Sequence, residues 1–211
     1  MLDSSGFDLW ANGYDKSVRL SEEENRYPFA GYEKTLNIIY RIIRSGKGTR
    51  VLDVGFGTGV LSKRLYDEGY CISGIDFSAE MIRLAKQKMP DAELLRHDFT
   101  QGLPPALSGR IFDFIVCTYA IHHLDDSRKI GFLRELLGHL PAEGKLLIGD
   151  VAFETADELE QCRIQSGSAW DAEEYYLVDE ALKPIFPRME FQACSFCSGV
   201  FLFSKEGTSG K

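Results

Sequence analysis

The residues best placed to do chemistry lie at the ends of short apolar runs. Val51-Leu-Asp-Val-Gly-Phe-Gly-Thr-Gly59 carries an acid, Asp53, and then opens onto Gly55, Gly57 and Gly59. Glycines at alternate positions bring backbone N–H groups and the positive end of a following helix against a ligand with little side-chain obstruction. Such a turn by itself indicates only a nucleotide-type site. Asp76 ends the next β-rich run, where a doubly wound sheet sets its carboxylate beside the glycine loop, able to accept from both hydroxyls of a ribose. His97-Asp98-Phe99 follows the third run, and Asp98 could accept from an exocyclic adenine amine while the neighbouring N–H meets a ring nitrogen. Three strand ends then converge on one nucleoside. Past the fourth run, His122 and His123 could accept a proton, since an unperturbed imidazole titrates near ~6.5. The alternative for that pair is loop packing. Tyr119 and Asp150 face the same crevice and could orient a polar molecule or hold a loop.

These positions require alternating strands and helices. From Arg50 onward, β-rich runs at 51–54, 70–76, 92–96, 112–117 and 145–150 alternate with amphipathic stretches at 60–68, 79–88 and 128–140. That alternation is the pattern of repeated βα units on a mostly parallel sheet. Ser78 caps the second stretch and Pro90 stops it. The fourth run is apolar enough to be covered on both faces, as a central parallel strand must be. Further on, 154–167, 171–176 and 178–186 read as helices, the last interrupted at Pro184. Two β segments, 189–197 and 200–204, are expected to pair as an antiparallel hairpin turning at Ser198-Gly199. The fold class is thus α/β, a doubly wound, mostly parallel seven-stranded sheet with a C-terminal hairpin. Helices at 7–18 and 27–44 precede it. We divide the chain into a helical lid at 1–48, a ligand-binding domain at 49–205 with covering helices near 154–187, and a polar, frayed tail at 206–211.

With 44% hydrophobic and 27% charged residues, the chain can bury a core as an ordinary globular domain does. Its formal charge of −8 lacks the clustered cations that a nucleic acid needs. No stretch reaches the ~18 apolar residues of a membrane span, and the first residues lack a secretory pattern, so a cytoplasmic protein is expected. The five cysteines do not form a disulfide framework. Cys194-Ser-Phe-Cys197 has no second pair or nearby histidines to complete a metal site, and no metal is expected.

Gly74-Ile-Asp-Phe-Ser78, Phe112-Asp-Phe-Ile-Val-Cys-Thr-Tyr-Ala-Ile-His-His-Leu124 and Leu140-Pro-Ala-Glu-Gly-Lys-Leu146, taken with the glycine loop and 97–99, resemble the class I S-adenosylmethionine (AdoMet) dependent methyltransferases. The match runs from Arg50 to Asp150. Trp10-Ala-Asn-Gly-Tyr-Asp15, Asp150-Val-Ala-Phe153 and Glu173-Glu-Tyr-Tyr176 are further similar to a group of small bacterial methyltransferases of unassigned substrate.

The resemblance implies a Rossmann-like fold that binds AdoMet and releases S-adenosyl-L-homocysteine. By position, Gly55 and Gly57 would contact the methionine part, Asp76 the ribose, Asp98 and Phe99 the adenine, and Phe77 or Met81 an adenine face. Asp53 would order the glycine loop or reach the ligand ammonium through water. Tyr14 resembles a lid residue over the methionine end, with Arg19 or Tyr32 meeting its carboxylate; packing within an N-terminal helix pair is the other reading. Trp170, Tyr175 and Tyr176 lie where the acceptor would be covered, as an aromatic wall or as ordinary packing. The Gly-x-Gly-x-Gly spacing argues against a nicotinamide site, whose usual spacing is Gly-x-Gly-x-x-Gly. Methyl transfer from a sulfonium is an in-line displacement that a dry, aligning pocket accelerates, and a base is needed only when the acceptor must lose a proton. The expectation is methyl transfer to a small molecule at O, N, S or C; an AdoMet sensor without turnover is the other class that fits.

Overall fold

The architecture was read from a computed structural model that describes residues 25–205. The helix and Tyr14 expected before residue 25, and the tail after 205, lie outside the described residues. Eight strands form, β1 (Arg50–Val54), β2 (Cys71–Asp76), β3 (Glu93–Arg96), β4 (Phe114–Thr118), β5 (Lys145–Phe153), β6 (Leu177–Val178), β7 (Glu190–Ala193) and β8 (Ser198–Ser204). Their order is β3-β2-β1-β4-β5-β8-β7, with β6 extending β5 on its own. The first five pair in parallel, and β8 runs antiparallel to β5 and to β7. The seven-strand path with its C-terminal hairpin is the one the alternation predicts, and the two-residue β6 is an addition to it.

Period-two alternation explains why the central strands are apolar throughout. Leu52 and Val54 on β1, with Ile115 and Cys117 on β4, join the core on one face; Val51, Phe114 and Val116 join the core on the other. Helices α1 (Tyr32–Ser45), α2 (Val60–Tyr66) and α3 (Ala79–Lys88) cover the second face through Ile39, Ile43, Leu61, Leu65 and Ala85. Helix α4 (Asp126–Gly138) covers the first with Phe132, Leu133 and Leu136. No helix among the described residues is long and apolar enough to cross a membrane.

Helix α5 (Ala156–Ser166) begins with a capping box in which Thr155 accepts from Glu158 N–H while the Glu158 carboxylate accepts from the Thr155 backbone. Thr155→Ala is therefore expected to cost about 1 kcal/mol, read as a lower urea midpoint at unchanged slope. An unmoved midpoint would show that the cap contributes nothing.

Several local expectations need correction. The helix expected over 27–44 starts only at Tyr32, after turns and a left-handed Gly31. The hairpin does not turn at Ser198-Gly199: both residues lie in β8, and the turn is 194–197. Gly199 serves close approach instead, since a Cβ there would sit 2.3 Å from the Phe191 ring across the strand pair. No helix forms over 171–176. Tyr175 N–H donates to the carbonyl of His122 at 2.9 Å and the Tyr175 carbonyl accepts from Lys129, so tertiary partners take the groups a helix would use. The helix expected over 178–186 shrinks to α6 (Asp179–Leu182), ending before Pro184, whose nitrogen has no N–H to continue the helical ladder.

Candidate functional site

The chain leaves β1 for β2 on one side, and its later strands β4 and β5 lie on the other, so a crevice opens at the C-terminal ends of β1 and β4. The glycine loop fills its floor. Gly55 has φ +69°, and a Cβ on it would meet the Ala120 methyl at 2.6 Å. Gly57 has φ +54° and nothing within 4 Å of where a Cβ would stand, so the loop presents bare backbone to open space. Gly55→Ala should cost about 1–2 kcal/mol from the left-handed backbone alone, before the Ala120 contact is counted, and thermal unfolding checks it.

Asp76 locks the loop. Its Oδ2 accepts from Gly57 N–H at 2.8 Å and its Oδ1 from Ser78 N–H at 2.9 Å. Asp53 lies within the same crevice, 1% exposed, with Oδ2 accepting from the Ser62 hydroxyl at 2.6 Å. Its Oδ1 is buried and has no hydrogen-bond partner among the described residues. Burial raises the Asp53 carboxyl to about 7; the Ser62 hydroxyl opposes that shift and the Asp76 charge adds to it.

Together these residues line a cavity of about 710 Å³, counted with its open mouth. Of the expected cofactor residues, Asp53, Gly55, Gly57, Asp76, Phe77, Met81 and Phe99 all border it. Asp98 does not. It is exposed, and its Oδ1 accepts from Thr100 N–H to cap the turn that presents Phe99. Tyr32 and Leu36 bring the first turn of α1 over the cavity, so this part of the N-terminal segment is at once a wall of the site and a layer on the sheet.

Tyr119 and His123 border the far end, beyond β4. Tyr119 has φ +49°, unusual for a bulky residue and a local strain of the kind that clusters at sites. Its ring packs against Tyr32 at 5.0 Å and Phe29 at 5.6 Å, and burial pushes its phenol far up.

His122 turns away from the cavity. Its Nδ1 lies 2.7 Å from Asp150 Oδ1 and its Nε2 3.5 Å from Glu174 Oε1. Burial pulls His122 down, but the Asp150 and Glu174 charges outweigh it, and the imidazole is raised on balance. His123 moves the other way, lowered to about 4 by burial and by the neighbouring His122. Asp150, fully buried, also accepts from Val151 N–H at 2.7 Å. Neither Asp150 nor Trp170, Tyr175 or Tyr176 borders the cavity. Trp170 stacks on Tyr27 at 5.2 Å and meets Tyr176 edge-on at 4.9 Å, while Tyr175 contributes its backbone and leaves its ring exposed. Tyr27, Trp170 and Tyr176 form an aromatic layer beside His122.

Sequence reasoning missed Lys129 and Glu174. Lys129 is 1% exposed and fastens the 171–176 strap through the Tyr175 carbonyl. Its spacing to Phe132 and Leu133 places it on the buried stripe of α4, a signal that was available. Thr58, Thr118 and Ala120 also border the cavity without carrying a motif of their own.

Fold and crevice define a Rossmann-like domain with a glycine-floored crevice at the switch point of its sheet. A family model described as a methyltransferase domain matches residues 51–144. An uncharacterized methyltransferase of Alkaliphilus oremlandii is 38% identical over 151 residues, 72% of this chain and 68% of that protein. Another, GK2543 of Geobacillus kaustophilus, is 33% identical over 208 residues, 95% of this chain and 94% of its own length. The magnesium protoporphyrin IX methyltransferase of Synechocystis, solved with bound S-adenosylhomocysteine, shares the fold with a TM-score of 0.69 at 18% identity, over 94% of this chain and 97% of that one. The chain belongs to the class I AdoMet-dependent methyltransferase family.

Proposed function

We propose that the cavity holds AdoMet along the glycine loop and that the enzyme methylates a small molecule bound against Tyr119 and His123. One observation carries the reading: two carboxylates, Asp53 and Asp76, face the cavity, and no lysine or arginine among the described residues borders it. That field repels a pyrophosphate and suits a ligand with a sulfonium and an ammonium. The Oδ1 of Asp53, without a hydrogen-bond partner among the described residues, receives the ammonium, and the glycine backbone at Gly55 and Gly57 takes the methionine chain. Asp76 keeps lone pairs for the ribose hydroxyls on the oxygens that hold the loop. Phe77, Met81 and Phe99 sandwich the adenine, with Asp98 turning in from the rim to its amine. The Synechocystis neighbour, which holds S-adenosylhomocysteine on the same fold, supports this placement.

AdoMet supplies an electrophilic methyl, and the protein's part is to align an acceptor and keep water out. The absence of bordering cations among the described residues disfavours a phosphate-rich acceptor. His123 is the acceptor-facing member of the histidine pair, and His122, held by Asp150, positions it.

Methyl-labelled AdoMet and a size-fractionated metabolite extract test the proposal. Label should enter the low-mass fraction. Label confined to protein or nucleic acid would overturn the small-molecule acceptor, and tight binding without any transfer would make the protein a sensor.

A further inference from the structure

His122, His123 and Glu174 each offer one ligand atom, and these atoms lie within 4.8 Å of one another. From this arrangement we infer a second site, beyond the methyl-donor cavity: a divalent cation of the zinc class held by two imidazoles and one carboxylate at the acceptor end.

The hydrogen bonds around the trio prepare its ligand atoms. Asp150 Oδ1 accepts from Val151 N–H and faces His122 Nδ1 at 2.7 Å, so Nδ1 carries the proton of a neutral ring and Nε2 keeps its lone pair. A carboxylate behind a histidine is the usual outer support of a metal-bound imidazole. On the other side, the Tyr176 hydroxyl donates to Glu174 Oε2 at 2.6 Å, leaving Oε1 toward His122. Nε2 and Oε1, both acceptors when the ring is neutral, then face each other at 3.5 Å. Two ligands of one tetrahedral ion at bond lengths near ~2.1 Å stand about 3.4 Å apart, so His122 and Glu174 already have the spacing for one ion, and the His123 ligand atom, within 4.8 Å of both, closes on it by a side-chain adjustment. The competing occupant is a proton shared between His122 and Glu174.

The local charge also suits a cation. Asp150 and Glu174 are two negative groups against the single ammonium of Lys129, which is held by Asp126 and the Tyr175 carbonyl. A set of two nitrogens and one oxygen suits zinc and leaves a fourth position open. His123 borders the methyl-donor cavity, so that position opens where an acceptor would lie. An oxygen, nitrogen or sulfur atom bound there would lose its proton more readily.

Zinc titration of the chelator-treated full chain against a chromophoric competitor tests the site without AdoMet. We expect one Zn²⁺ per chain. Asp150→Asn should weaken it by about 10–100-fold, and Glu174→Gln or His123→Ala by at least as much. Co²⁺ should give the visible bands of a four-coordinate ion, altered in both ligand variants. A Cys194→Ala/Cys197→Ala protein should retain the affinity. Absence of stoichiometric zinc, a loss confined to the cysteine variant, or cobalt bands indifferent to Glu174→Gln would each overturn the site. AdoMet calorimetry on the same metal-free protein reports the methyl-donor reading separately.

Discussion

Asp76→Ala is expected to weaken both AdoMet and S-adenosylhomocysteine by at least about 100-fold. The carboxylate does two jobs with the same pair of oxygens. In the ligand-free protein it holds Gly57 and Ser78 through hydrogen bonds of 2.8 and 2.9 Å, and in the complex it also accepts from the ribose. Hydrogen bonds to a charged group contribute roughly 1.5–3 kcal/mol each, so losing two ribose contacts gives about 3 kcal/mol or more, the stated factor. The alanine also leaves two loop N–H groups without their acceptor, so the empty protein should unfold at lower temperature. Asp76→Asn should rescue little, because its amide NH₂ would face one of those donors. Calorimetry on variants whose far-UV spectra match the parent measures this; unchanged affinity would remove the ribose contact from Asp76.

The second large effect is a dependence of AdoMet affinity on pH. Asp53 in the empty protein is raised to about 7 by burial. Because its folded value exceeds the ordinary value of 3.8, the stability it contributes is complete below that ordinary value and is lost as pH rises through about 7. Binding reverses the preference, since the ammonium of AdoMet requires the ionised carboxylate. Affinity should therefore rise about tenfold per unit from pH 5 to 7, with release of a proton, and level off before the ligand's own ammonium titrates near ~8. Calorimetry in buffers of different ionisation enthalpy counts that proton. Asp53→Asn should flatten the profile, bind weakly throughout, and stabilise the empty protein at pH 8. A slope that survives Asp53→Asn would assign the titration to another group.

The glycine-loop half of the cavity was legible because each of its residues lies at or just past the end of a strand that its own neighbours define. Asp53, Asp76 and Phe99 sit one after another at the ends of β1, β2 and β3, and local periodicity suffices to place them. The surroundings of the histidine pair are made from distant pieces. Glu174 reaches His122 from a strap whose backbone is bonded to a turn and to a lysine on α4, and no spacing within 171–176 encodes that. The helix expected there does not form for the same reason: the partners that take its backbone groups lie far along the chain. Gly199 misled the hairpin turn because glycine serves close packing and turning alike, and only the Phe191 ring distinguishes them.

The fastening of the segment before α1 to the C-terminal hairpin has a consequence for synthesis. Ala30 carbonyl accepts from the hydroxyls of Ser195 and Ser198, Lys34 reaches the Cys194 carbonyl, and Tyr27 bonds Tyr176. A ribosome that has delivered strands β1 to β4 has made every residue of the glycine-loop floor, but the early aromatic segment still lacks the serines of the hairpin that hold it. Chains fold from the first residues made. The residues of the glycine-loop crevice are thus all synthesised while the segment that closes over Tyr119 still waits for β8 to emerge, so the two ends of one cavity are completed at different times in the life of a nascent chain.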